Sequence, residues 1–97
     1  MTQYILLIQG NTKSEAVPEE WAQFFAMARE SGFFKGGSAI GMDRTIVGDV
    51  STAKPTDHIA GFMRFDSDDK EKVLELLKIH PVVLHGGSVE LCEMPMT

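Results

Sequence analysis

Tyr4-Ile5-Leu6-Leu7-Ile8, closed by Gly10-Asn11, is the stretch on which the fold turns. A continuous apolar run of this length, rich in strand formers and ended by turn residues, reads as a buried strand. Side chains alternate across a strand, so Ile5 and Leu7 point one way while Tyr4, Leu6 and Ile8 point the other. Both faces are apolar. His58 to Phe65 repeats the pattern, with Ile59, Gly61, Met63 and Phe65 on one face and His58, Ala60, Phe62 and Arg64 on the other.

Between these strands lies an amphipathic helix. Pro18 opens it, Glu19 and Glu20 place negative charge at the positive end of its dipole, and Gly32 supplies the left-handed stop. Trp21, Phe24, Phe25 and Ala28 recur at helical spacing and form its buried side. Phe33 to Ile40, interrupted by Gly36-Gly37, reads as a bent or bulged strand. Thr45-Ile46-Val47 is a short β-prone piece, and residues 48–57 read as a surface connection.

After the third strand, Ser67 is the expected N-cap of a second helix whose buried stripe is Val73, Leu74 and Leu77. Pro81 is expected to stop that helix near His80. Ser88 to Glu93 then forms the last strand, and Met94 to Thr97 a loose tail. The order β-α-β-β-α-β predicts one α+β domain over residues 1–97. It is ferredoxin-like, an antiparallel sheet with two helices on one face. Two helices cover only one face of a sheet whose central strands are apolar on both. That leftover face predicts a homodimer, packed sheet to sheet as a dimeric α+β barrel.

Composition bounds the partners. The chain has 97 residues, 43% hydrophobic and 24% charged, with 14 acidic and nine basic side chains for a formal charge of −5. These are ordinary globular proportions, and the acidic balance argues against a nucleic-acid partner, which needs clustered positive charge. No apolar run reaches the roughly 20 residues that span a bilayer, so no membrane partner is expected. Cys92 is the single cysteine. An internal disulfide is thereby excluded, and a reducing cytoplasm is the expected compartment. A chain this short buries only about two-thirds of its unfolded surface, which makes self-association a cheap source of stability.

Several residues are candidates for chemistry, each with a plainer reading beside it. His58 and His80 are acid/base candidates because imidazole titrates near neutral pH. The plainer readings are a loop-edge residue for His58 and a helix-terminal residue favoured by the dipole for His80. Arg64 could steer an anion, or be solvated. Glu90 could be a buried base or an edge carboxylate, and His85 could contribute to a ligand site beside Gly86-Gly87. The three histidines match no closed zinc spacing, so no metal is expected. Neither Gly-Gly pair fits a phosphate loop, and no cofactor is indicated.

Tyr4 to Ile8, Pro18-Glu19-Glu20-Trp21, Gly32-Phe33-Phe34-Lys35-Gly36-Gly37, Gly61-Phe62, and His80-Pro81 through Gly86-Gly87-Ser88-Val89-Glu90 occur in the order seen in YCII-like proteins. Across nearly its whole length the chain resembles that family, including the related DGPF branch. The resemblance implies a ferredoxin-like subunit in a dimeric α+β barrel. Some family members are taken to be enzymes because a histidine and an aspartate share a cleft. Here the Asp-Gly-Pro-Phe segment is replaced by residues 51–57, the first helix has no histidine, and the expected aspartate before proline is His80. The functional expectation is a homodimer whose inter-subunit cleft binds a small polar or anionic molecule, with acid/base, lyase-type chemistry if any. The alternative is a non-catalytic interaction or regulatory module with a structural dimer interface.

Overall fold

The computed structural model describes residues 1–96 and contains four strands and three helices. The strands are β1 (Thr2–Gln9), β2 (Phe34–Ala39), β3 (Ile59–Ser67) and β4 (Val89–Met94). The helices are α1 (Pro18–Ser31), α2 (Lys70–Leu77) and α3 (Pro81–Leu84). The sheet order is β2-β3-β1-β4, every neighbouring pair antiparallel. This is the ferredoxin-like α+β arrangement, with one short helix added before the last strand.

Alternation along β1 and β3 decides what the helices cover. Tyr4, Leu6 and Ile8 of β1 are buried with Met63 and Phe65 of β3, Phe24 and Ala28 of α1, and Val73, Leu76 and Leu77 of α2. The register sets Leu6 opposite both Met63 and Leu91, a cross-strand apolar row beneath the helices. On the other face Leu7 lies between Phe62 and Glu90, and Ile5 between Arg64 and Cys92. Among the described residues, no helix covers that second face.

Local chemistry sets the helix ends. Gly32 closes α1 at φ 84°, its N–H donating to Arg29 O, a conformation that favours glycine. At α2 the cap is Asp69, whose carboxylate accepts from the N–H groups of Glu71 and Lys72. Ser67 is the last residue of β3 instead, and its hydroxyl accepts from Asp69 N–H. Pro81 starts α3 where it was expected to end a helix, because its missing N–H costs nothing at N1. The Nδ1 of His80 accepts from Val82 N–H as the cap of that turn. Residues Thr45 to Val47 form no strand, and Val47 is almost fully exposed. Their connection is held by Arg44, which donates to the carbonyls of Gly41, Thr56 and Ile59. Met94 belongs to β4, and Thr97 lies outside the described residues.

Candidate functional site

Trp21, Phe25 and Arg29 stand at i, i+4 and i+8 on α1 and so share one helix face. Phe24 and Ala28, on the adjoining stripe, enter the core, whereas Trp21 and Phe25 stay half-buried. The sheet beneath is low where β2 meets β3. Gly37 and Gly61 lie there at the strand pairing, and a Cβ on Gly61 would come within 2.9 Å of Ser38 O. A Cβ on Gly37 would collide with the Phe62 carbonyl. Aromatic rings on one wall and glycine on the other leave a cavity of about 600 Å³ between α1 and the β2–β3 edge. Ile8, Phe34, Met63 and Val82 complete its apolar lining, and Gln9, Thr12 and Ser38 add uncharged polar groups.

Among the described residues, one charged side chain lines this space. The Arg29 guanidinium lies over the Phe25 ring, 5.5 Å from its centroid. It forms no ion pair with any carboxylate among the described residues. The stacking orients it without consuming its hydrogen-bond donors. A planar cation at the rim of an aromatic cavity can hold a carboxylate or similar anion while the rings take its apolar part.

A second polar cluster is built by the loops at the same end of the sheet. Lys13 N–H donates to His85 O at 2.8 Å, Gln9 N–H to Ser88 O at 3.1 Å, and Ser88 N–H to the Asn11 side chain at 2.9 Å. These bonds zip the β1–α1 loop to the α3–β4 loop. The zip sets Ser14 Oγ 2.7 Å from His85 Nδ1, and Glu20 Oε1 2.8 Å from His85 Nε2. The same Glu20 oxygen accepts from Val17 N–H at 2.9 Å. That backbone bond first, then the bond from His85, holds the Glu20 carboxyl below its usual range.

The sequence candidates are dispersed. His58 is exposed in the turn before β3, and Arg64 is exposed on the uncovered sheet face six residues further on. Strand geometry separates them by about 20 Å, too far to share a small ligand. Glu90 is exposed on that same face, one row along and two strands over from Arg64. His80 is fully buried, its ring edge-on to Trp21 at 5.3 Å and Phe24 at 4.7 Å. Burial pushes its pKa down from 6.5 to about 4. Its Nε2 is buried without a hydrogen-bond partner. Only His85 is in a hydrogen-bonded side-chain cluster, and its partners Ser14 and Glu20 were not singled out for chemistry by sequence. None of the five candidates lines the cavity. Among the described residues, no three His, Cys, Asp or Glu side chains gather as a metal site, and no helix is long and apolar enough to cross a membrane.

Arg29 escaped the sequence reading although its signal was present. It continues the Trp21–Phe25 spacing by one more turn, which places a cation on an otherwise aromatic face.

The fold and cavity together define an α+β protein of ferredoxin-like topology with an intrachain pocket. No family model and no curated protein matches the chain. Among solved structures it is similar to the Arabidopsis thaliana protein At3g17210, at 17% identity with a TM-score of 0.44, over 100% of this chain and 96% of that one.

Proposed function

We propose that the protein binds a small aromatic or aliphatic anion in the cavity between α1 and the β2–β3 edge, as a homodimer of YCII-like type. The observation that carries this reading is Arg29, an unpaired guanidinium at the rim of an otherwise uncharged, aromatic-lined space. Of the small polar or anionic ligand expected from sequence, it keeps the anionic one. The place moves from an inter-subunit cleft to a pocket within each subunit, and the anchoring cation from Arg64 to Arg29.

Dimerisation is supported by the uncovered face of the sheet, where Ile5, Leu7 and Phe62 form a half-buried apolar patch. Arg64 and Glu90 flank it. A two-fold axis placed between them would set Arg64 of each copy against Glu90 of the other, a self-complementary arrangement.

The ligand reading is tested by isothermal titration with phenylacetate and with neutral phenylethanol. Phenylacetate is expected to bind, and Arg29→Met to weaken it by about tenfold, the worth of one exposed charge-assisted contact. Phenylethanol is expected to bind more weakly than phenylacetate and to be indifferent to Arg29→Met. Equal affinity of both ligands for both proteins would remove the anion from the account.

A further inference from the structure

The cavity leaves Ser14, His85 and Glu20 unexplained. Val17 N–H donates to Glu20 and helps hold its carboxyl below the usual range, so the carboxylate is ionised and only accepts. The proton between Glu20 and His85 must therefore sit on Nε2. In neutral His85 the Nδ1 then carries the lone pair, and that lone pair faces the Ser14 hydroxyl at 2.7 Å. Hydroxyl, imidazole and carboxylate stand in the order that polarises a serine. A general base takes the hydroxyl proton, and an oriented anion steadies the imidazolium that results. The two ring nitrogens exchange the roles they have in the familiar serine proteases, and either nitrogen can accept while the other donates.

Two further features suit nucleophilic chemistry. Ser14 is exposed, so a reagent can reach it, while His85 and Glu20 are partly buried behind it. The backbone N–H groups of Glu15 and Ala16, which follow the serine, donate to no described residue. An amide directly after a nucleophile can bind a developing oxyanion.

We infer that Ser14 is the nucleophile of an acyl-transfer site, with His85 as general base and Glu20 as the residue that positions it, acting on small carboxylic esters. Ser14 Oγ bonds to the ester carbonyl carbon while its proton passes to His85 Nδ1. The C–O bond to the alcohol breaks, and that proton leaves on the departing oxygen. Water then attacks the acyl-serine, giving its proton to His85, and the proton returns to Ser14 Oγ as the acid departs. Ester and water become acid and alcohol. The aromatic preference among esters rests on the cavity reading, because Thr12, Trp21 and Val82 line the cavity and lie one to three residues from the three groups. The nucleophile assignment does not rest on it.

The test uses the full chain with a fluorophosphonate reagent and peptide mapping by mass spectrometry, then p-nitrophenyl acetate and p-nitrophenyl phenylacetate as substrates. A covalent adduct on Ser14 is expected, absent in Ser14→Ala and formed about 100-fold more slowly in His85→Gln. Glu20→Gln is expected to lower kcat with KM unchanged, a split that loss of a merely structural clamp would not produce. It also serves if His85→Gln fails to fold by circular dichroism. An unlabelled Ser14 overturns the assignment, as does labelling at the wild-type rate in the folded variants. Labelling of Ser14 without preference for the phenylacetate ester upholds the nucleophile and overturns the cavity's part.

Discussion

His80 shows how one buried side chain sets a pH dependence. Its pKa falls from 6.5 to about 4 because the charged ring would lie among Phe24 and Trp21 without water. The unfolded chain takes up the proton first, so stability falls as pH drops from about 6.5 towards about 4 and is fully present above that window. The gap corresponds to about 3 kcal/mol. Thermal melts across that range should show the loss in the wild type, and His80→Leu should flatten this part of the profile. An unchanged profile in the variant would place the titrating group elsewhere. The sequence displayed His80 plainly but not its role. By sequence Pro81 reads as a stop, although the rule that lets Pro18 open α1 applies equally to Pro81. His85 was visible too, yet its partners are 71 and 65 residues away in sequence. No local spacing could have joined them.

At the scale of elements, glycine governs the β2–β3 pairing. Gly61→Ala forces a methyl against the Ser38 carbonyl, which is backbone and cannot rotate away. The expected loss is about 1–3 kcal/mol, measured by urea denaturation. Gly32→Ala, with open space around it but φ at 84°, should cost about 1 kcal/mol through backbone strain alone. Asp69→Ala should also cost about 1 kcal/mol by freeing the N–H groups of Glu71 and Lys72. Elements and faces were legible because Tyr4, Leu6 and Ile8 alternate with Ile5 and Leu7, and because Trp21, Phe24, Phe25 and Ala28 keep helical spacing. The cap of α2 is ambiguous by sequence because Ser67, Asp68 and Asp69 all have capping chemistry. Only the end of β3 decides among them. The cavity was illegible for a different reason. It depends on how far α1 stands from the sheet, and that is set jointly by aromatic rings on one element and glycines on two others.

Among the described residues, the sheet has one face covered by helices and one uncovered. On the reading proposed above, the uncovered face makes the dimer. Static light scattering should give twice the chain mass, and Leu7→Arg, which sets a charge between Phe62 and Glu90, should give the monomer. On the same reading the covered face makes the ligand site, which is open to the most direct test. Trp21 is the only tryptophan in the chain and lines the cavity, so its fluorescence reports occupation without a label. Titrating phenylacetate should change Trp21 emission saturably in the wild type, with the midpoint about tenfold higher in Arg29→Met. Emission that stays constant to millimolar phenylacetate, or midpoints that coincide in the two proteins, would contradict it.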